Sequence, residues 1–432
     1  MDETLIRGRL LSFAEAPRED DPSAVLYVED GALLVRDGRI AGAGTWAEIA
    51  PLAPGAPVVD HRPHLILPGF IDTHIHFPQL QVIGSWGAQL LDWLNAYVFV
   101  EEQKFADPAV AEAMAPRFFD ELLRHGTTTA VAFCSVHPAS VDAYFGEAHR
   151  RGMRMIGGKV LMDRNAPEGL RDTAQQGYDE SKALIEAWHG KGRLHYAVSP
   201  RFAITSTEAQ MEAAGALIAE RPDLHVQTHL SENRAECEYA VSLFPGARDY
   251  TDIYERYGFM GPRTLFGHCV HLSDRELGAL ADTGSVAVFN PTSNLFLGSG
   301  LFDLSRVEAM GVRTAVATDV GAGTSYSMLA TMDEAYKILQ LQGQKLAPLE
   351  SFYRMTLGNA RALGLEAHVG SLAPGRDADL VVLDSRATPA MALRSETVRT
   401  LAEELFVLQT MGDDRSVVET YVAGRPMLDT RA

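Results

Sequence analysis

The chain has 432 residues, of which 46% are apolar and 22% are charged, as in folded globular proteins and unlike disordered, collagen-like or coiled-coil chains. The 57 acidic and 38 basic residues give a formal net charge of −19, which argues against nucleic acid and anionic membrane surfaces as partners. Three cysteines without a CxxC pair argue against disulfides and a cysteine-ligated zinc site, and with no recognisable export or membrane segment they indicate a cytoplasmic protein.

The terminal regions predict β-structure. Residues 25–44 (VLYVEDGALLVRDGRIAGAG) alternate apolar and polar side chains, with Asp-Gly pairs at Asp30-Gly31 and Asp37-Gly38. This pattern is typical of short strands linked by hairpin turns. The C-terminal segments 370–384 and 416–427 are also strand-rich and punctuated by glycine. Because neither region is long enough to form a core alone, we expect them to pair into one composite β domain.

Eight strands, separated by helical stretches, are predicted in the middle of the chain. They cover residues 70–74, 128–133, 154–161, 194–199, 224–229, 265–268, 285–290 and 313–319. The ends of the first and last strands, His74 and Asp319, lie 245 residues apart. Seven β–α steps of about 35 residues fill that distance, and this is near the usual size of such a unit.

The predicted fold is therefore of the α/β class, a TIM-type (β/α)8 barrel with a small composite β domain formed by the N- and C-terminal segments. The predicted units are residues 1–67, 68–368 and 369–432. Two helix-start signals support the alternation, Asp107 before Pro108 and the capping box of Ser273 and Glu276. A doubly wound open sheet is the competing architecture, but the glycine-rich phosphate turn that it needs after the first strand is missing.

Two histidines end the first predicted strand. His74 and His76 are two residues apart, so their side chains point to the same side of the strand. The carboxyl ends of barrel strands are where active sites are built, and neutral imidazole is a good zinc ligand. Exposed strand histidines are common, however, and this pair taken alone is a modest signal.

Three further predicted strands end in His229, His268 and Asp319. These could be core or loop residues satisfied by hydrogen bonds, but packing does not readily explain apolar runs that each end in His or Asp. Three imidazoles and one carboxylate would hold Zn²⁺ and leave room for a water, whose pKa falls from about 15.7 to about 7. The sequence thus predicts a zinc-bound hydroxide as the nucleophile of a hydrolysis.

A single Zn²⁺ per chain is predicted. Two-metal barrel hydrolases usually bridge their ions with a modified lysine at the end of the fourth strand, whereas this chain has Ser199-Pro200-Arg201 there. Lys159 on the third strand is the nearest contrary candidate, and we interpret it as structural or solvated.

Hydrolysis also needs a proton shuttle, and Glu232 lies three residues after His229. It could take a proton from the water and deliver it to a departing amine. A glutamate that interacts with a helix dipole is the alternative on position alone. His268 could be a fourth imidazole ligand, but a neutral histidine that donates to the water or the substrate fits a site that already has four ligands.

Six segments carry a resemblance to a known family. They are residues 72–79 (DTHIHFPQ), 199–202 (SPRF), 229–233 (HLSEN), 266–269 (FGHC), 291–294 (PTSN) and 318–325 (TDVGAGTS). Together they resemble the metal-dependent amidohydrolases, and within them the purine deaminases that act on guanine. The resemblance covers nearly the whole chain.

The resemblance implies roles for individual residues. It implies that zinc is bound by His74, His76, His229 and Asp319, that the catalytic groups are Glu232, His268 and Asp319, and that the purine is contacted by Gln79, Arg201, Phe202 and His229. Apart from this resemblance, Gln79 could be a loop residue, Arg201 an ion-pair partner and Phe202 a core residue. Trp86 and Trp93 could form a lid, but packing explains them as well, and both stay outside the predicted site.

The function implied is the hydrolytic deamination of free guanine to xanthine and ammonia, a step of purine catabolism, by a protein that is usually a homodimer. One alternative is a related barrel deaminase that acts on another amino-substituted ring, such as an oxidised purine or a triazine. A second is a barrel without activity that serves as a scaffold, which we would expect to have lost ligand positions that are all present here.

Overall fold

The computed structural model describes residues 3–18, 22–87 and 89–428. The strands in these residues form two sheets. The strands of the first are β1 (Glu3–Phe13), β2 (Val25–Arg36), β3 (Arg39–Thr45), β4 (Val58–Pro68), β14 (Leu380–Leu383), β15 (Val417–Val422) and β16 (Arg425–Pro426); those of the second are β5 (Phe70–His76), β6 (Thr127–Phe133), β7 (Arg154–Gly158), β8 (Val160–Leu161), β9 (His195–Pro200), β10 (His225–Leu230), β11 (Thr264–His268), β12 (Val286–Phe289) and β13 (Arg313–Val316).

The second sheet is a nearly closed parallel barrel. Its strands pair in the order β5-β6-β7-β9-β10-β11-β12-β13, and β8 continues the third strand beside β9. At the seam, the N–H of Asp319 donates to the carbonyl of His74 over 2.9 Å, and that of His76 donates to Val320 over 2.8 Å. The predicted barrel is confirmed, with strand boundaries shifted by one to three residues. The third strand, predicted as unbroken over 154–161, is interrupted at Lys159.

The described helices lie between strands of both sheets. They are α1 (Trp46–Ile49), α2 (Leu90–Trp93), α3 (Phe99–Glu102), α4 (Pro108–Arg124), α5 (Pro138–Arg151), α6 (Ala174–Trp188), α7 (Glu208–Glu220), α8 (Arg234–Leu243), α9 (Tyr250–Arg256), α10 (Asp274–Thr283), α11 (Pro291–Phe296), α12 (Leu304–Ala309), α13 (Met328–Leu341), α14 (Pro348–Tyr353), α15 (Asn359–Leu363), α16 (Pro389–Ser395) and α17 (Leu401–Met411). Both predicted start signals are confirmed: Asp107 caps α4 and the Ser273/Glu276 box caps α10. In the described ranges, no helix combines the length and apolar content needed to cross a bilayer.

The composite sheet joins the two ends of the chain. Its strand order is β16-β15-β14-β4-β1-β2-β3, and the N-terminal β4 pairs antiparallel with the C-terminal β14. The predicted pairing of the terminal regions is therefore confirmed, while the boundaries 1–67, 68–368 and 369–432 stay predictions. Helices α16 and α17 lie between β14 and β15, and the Gln409 amide in α17 donates to the Met332 carbonyl of α13 over 3.0 Å.

The two predicted Asp-Gly turns have different outcomes. Asp37 and Gly38 form the turn between β2 and β3, with φ of 48° and 79°, as a type I′ hairpin requires. Asp30 and Gly31 instead lie inside β2, so the prediction of a turn at this pair was wrong. Gly31 pairs with Gly8 of β1, and a Cβ on it would come within 2.5 Å of the Leu10 side chain. The close approach of β1 and β2 explains why a glycine occupies position 31.

A buried group of charges attaches the composite sheet to the barrel. Asp377 and Asp379, just before β14, accept from Arg154 at the start of β7 and Arg193 just before β9. The shortest contacts are 2.7 Å between Arg154 Nη2 and Asp377 Oδ2 and 2.8 Å between Arg193 Nη1 and Asp379 Oδ2. The pairing offsets the cost of burying these charges.

Candidate metal centre and active site

His74, His76, His229 and Asp319 converge at the carboxyl end of the barrel. Their ligand-capable atoms all lie within 4.8 Å of one another. His229 Nε2 is 3.2 Å from Nε2 of both His74 and His76, and Asp319 Oδ1 is 3.3 Å from the same two nitrogens. A tetrahedral zinc centre with bonds of about 2.0–2.1 Å would hold its ligand atoms about 3.3–3.4 Å apart. The donor set and its spacing therefore fit one tetrahedral metal ion.

The surroundings keep these imidazoles available as ligands. Nδ1 of His229 lies 2.6 Å from the Arg201 carbonyl oxygen, so this nitrogen carries the proton and leaves Nε2 bare towards the cluster. Burial lowers the pKa of His76 to about 4, and burial together with the neighbouring imidazoles lowers the pKa of His229 well below its usual value. Both rings are therefore neutral at neutral pH, the form that binds metal.

Asp319 supplies the negative charge of the cluster. Burial by itself would raise its pKa, but the electrostatic interaction with His74 and the hydrogen bonds of His74 and His76 hold that pKa well below its usual range. The backbone of Asp319 has a φ of 53°, and that of His268 has a φ of 74°. This left-handed conformation is costly for residues with a side chain and persists only where the surrounding structure imposes it. The barrel thus fixes two strand ends in strained conformations at the site.

Glu232 and His268 lie beside the cluster. Glu232 Oε2 is 3.5 Å from His268 Nε2, and Asp319 Oδ2 is 3.7 Å from the same nitrogen. Ser299 donates to Glu232 Oε1 over 2.8 Å. Burial and the nearby Asp319 raise the pKa of Glu232 to about 8. A carboxyl group with such a pKa can both take up and release a proton near neutral pH.

Asn294 determines which nitrogen of His268 faces the reaction. The Asn294 side-chain oxygen lies 2.9 Å from His268 Nδ1, so Nδ1 carries a proton and donates it. Nε2 is buried without a hydrogen bond in the described structure. A neutral His268 therefore presents a bare Nε2 that accepts a proton, and the ring donates through Nε2 only when doubly protonated. This differs from the expected neutral donor.

A partly open cavity lies next to the cluster. Its walls are formed by His76, Gln79, Leu90, Trp93, Leu94, Arg201, Phe202, His229, Glu232, His268, Leu297, Asp319 and Ala322. Every residue assigned to the site from the sequence lines this cavity, except His74, which is buried in the metal cluster behind it.

The sequence interpretation missed part of the cavity wall. Trp93, which was kept outside the site, lines the cavity together with Leu90 and Leu94, and its indole donates to the Ser85 carbonyl over 3.0 Å. Trp86, the other excluded residue, is 78% exposed. The helical spacing of Leu90, Trp93 and Leu94 was the available signal, because positions three and four apart share one face of a helix.

Glu102 was missed as well, and no local pattern marks it. It is buried and contacts two wall residues, accepting from Gln79 Nε2 over 2.9 Å and from Arg201 Nη1 over 2.8 and 2.9 Å. These partners are 23 and 99 residues away in the sequence. Only the tertiary structure brings the three side chains together.

Comparison with known proteins places the chain among purine deaminases. Residues 65–427 match the model of the amidohydrolase family. Guanine deaminase of Escherichia coli strain K12 is 48% identical over 408 residues, covering 94% of this chain and 93% of that protein. The E. coli guanine deaminase structure matches with a TM-score of 0.96 at 46% identity, covering 99% of this chain and all of that one. Guanine deaminase of C. acetobutylicum, solved with guanine in its active site, matches with a TM-score of 0.90 at 28% identity, covering 99% of this chain and 100% of that chain.

Proposed function

The chain belongs to the amidohydrolase family, and we propose that it hydrolyses guanine to xanthine and ammonia. The observation that carries this proposal is the tetrahedral spacing of three imidazole nitrogens and one carboxylate oxygen beside a buried glutamate. A pocket with an amide and a guanidinium in its wall adjoins them. The high identity to guanine deaminases over nearly the whole chain supports guanine as the substrate.

The proposed cofactor is one Zn²⁺ per chain, held by His74, His76, His229 and Asp319. When bound, such an ion acidifies a water molecule and polarises the substrate. Lys159 does not reach this cluster, because its ammonium group pairs with Asp172 and lies 3.4 Å from Glu180. Among the described residues, these four side chains are the one group found that could hold a metal ion, and this favours a single ion.

Glu232 and His268 are the proposed proton-transfer groups. Glu232 removes a proton from the attacking water, and Ser299 holds the carboxylate towards the cavity. The water oxygen bonds to the ring carbon that bears the exocyclic amine, and the bond from that carbon to the amine breaks. Glu232 returns its proton to the departing nitrogen, which leaves as ammonia. His268, oriented by Asn294, stabilises the charge that develops on the attacking oxygen when its ring is doubly protonated and donates from Nε2, while the Asp319 carboxylate can accept a hydrogen bond from the attacking water.

Three residues are proposed to select guanine. Gln79 and Arg201 offer hydrogen bonds to the donors and acceptors along the edge of the purine, and Phe202 supplies an apolar wall. The net charge of −19 argues against a nucleic-acid substrate. A homodimer in the cytoplasm is proposed from the family resemblance.

The test is an ultraviolet assay of guanine loss by purified protein, with adenine, cytosine and an aminotriazine assayed in parallel. We expect guanine to be the preferred substrate, a chelator to abolish turnover, and added Zn²⁺ to restore it. Greater activity on the triazine would favour the other-ring alternative. Protein prepared with care that contains no transition metal would favour the scaffold alternative.

The role of Glu232 has its own test. We expect Glu232→Gln to retain metal and to lower kcat by about 10²- to 10⁴-fold, the usual contribution of a general acid–base. Glu238→Gln, at an exposed position of α8, is the matched control and should turn over normally. Near-normal kcat in metal-loaded Glu232→Gln protein would refute the assigned role.

A further inference from the structure

Glu102 links two elements that contribute side chains to the pocket wall. It is the last residue of α3 and is 1% exposed. Its Oε1 accepts from Gln79, which follows β5, and both of its oxygens accept from Arg201, which follows β9. Glu102 does not itself line the cavity. It therefore acts on any bound ligand through Gln79 and Arg201.

The contact with Glu102 fixes the orientation of the Gln79 amide. Its nitrogen faces Glu102, and its oxygen accepts from the Gly321 N–H over 3.1 Å. A carboxylate accepts only and an N–H donates only, so a flipped amide would lose both hydrogen bonds. One amide hydrogen and one oxygen lone pair stay available to a ligand. Gln79 thus presents a defined donor and acceptor to the cavity.

The same helix holds the Arg201 guanidinium from two sides. Nη1 donates to both Glu102 oxygens, and the Phe99 ring lies 5.5 Å from Cζ. Phe99 and Glu102 begin and end α3. In the described part of the chain, neither Nε nor Nη2 of Arg201 has a hydrogen bond to another side chain or backbone group, while Arg201 lines the cavity. The contacts with α3 therefore leave Nε and Nη2 for the ligand.

Glu102 also neutralises this part of the wall. A buried guanidinium without a counter-ion carries a large desolvation cost, and a nearby carboxylate offsets it. The paired groups present hydrogen-bond donors without net charge. Such a wall fits a neutral purine better than an anionic one.

We propose that Glu102 is a positioning residue that holds Gln79 and Arg201 in the geometry that recognises a neutral purine base. This inference rests on the proposed function, because it concerns the affinity of the same pocket for guanine. It assigns to helix α3 a part in substrate selection, although none of the α3 side chains lines the cavity.

The experiment compares full-length, zinc-loaded wild type, Glu102→Gln and Glu101→Gln. Glu101 precedes Glu102 in α3 but pairs with Lys104 at the surface, so its variant is the matched control. Glu102→Gln keeps the side-chain shape and removes the charge. We expect its KM for guanine to rise about 10- to 100-fold, as the loss of a buried charge-assisted hydrogen bond implies. Its kcat and metal content should change less than about threefold, because the metal and proton-transfer groups are untouched.

The outcomes separate this inference from the proposed function. A wild-type chain that leaves guanine intact overturns the proposed function. A Glu102→Gln protein with wild-type KM, or with lowered kcat at unchanged KM, overturns only the positioning role. If Glu102→Gln loses metal or does not fold, Glu102→Asp is measured instead, since it keeps the charge and shortens its reach. The positioning role then requires a raised KM with kcat maintained, and a wild-type KM overturns it.

Discussion

Gly267 makes room for His74, a proposed metal ligand, and adding one methyl group at position 267 tests that geometry. Gly267 lies in β11, beside His229 of β10. A Cβ at this position would lie 2.5 Å from Cε1 and 2.8 Å from Nδ1 of His74. Ordinary carbon contacts are about 3.5–4.0 Å, so Gly267→Ala needs a displacement of about 1 Å. The His74 ring packs against Phe133 and His229, with centroids 5.0 and 4.7 Å away, and has little space to retreat.

We therefore expect Gly267→Ala to lower metal occupancy and to reduce kcat/KM for guanine by about 100-fold, since a misplacement of 1 Å can have an effect of this size. Metal per chain is measured by elemental analysis and kcat/KM by the ultraviolet assay. Gly278→Ala in α10 is the control, because a Cβ there meets nothing within 4 Å. It should be active and more stable by about 0.5–1 kcal/mol. Full metal content and normal activity in Gly267→Ala would refute the steric reasoning.

Two further substitutions test other parts of the structure. Asn294→Ala removes the acceptor that orients His268. We expect kcat to fall about 10- to 100-fold with metal retained, as for other supporting hydrogen bonds. An unchanged kcat would show that the His268 ring keeps its proton on Nδ1 without Asn294. Arg154→Met leaves the buried Asp377 with fewer partners and should lower the free energy of unfolding by about 3 kcal/mol in urea denaturation, at unchanged KM. A wild-type urea midpoint would argue against a stabilising role for this ion pair.

The alternation of apolar strands and helices was sufficient to predict the barrel. A buried parallel strand is apolar throughout and its boundary is local, so each strand was found to within a few residues. The spacing of His74 and His76 placed both on one side of β5 for the same local reason. The Asp37-Gly38 turn could also be predicted from the sequence. Asp30-Gly31 was misinterpreted, because Gly31 is required by the close packing of β1 against β2 and not by a turn.

The composition and periodicity of the chain determined that four strand ends carry His or Asp and that these strands form one parallel barrel. Only the tertiary structure decided how those ends meet, including the left-handed backbone of His268 and Asp319 and the orientation of His268 by Asn294. It also decided that Glu102, far from its partners in sequence, lies behind Gln79 and Arg201. Local sequence patterns report which side chains share a face of one element, while contacts between distant elements depend on how the whole chain packs.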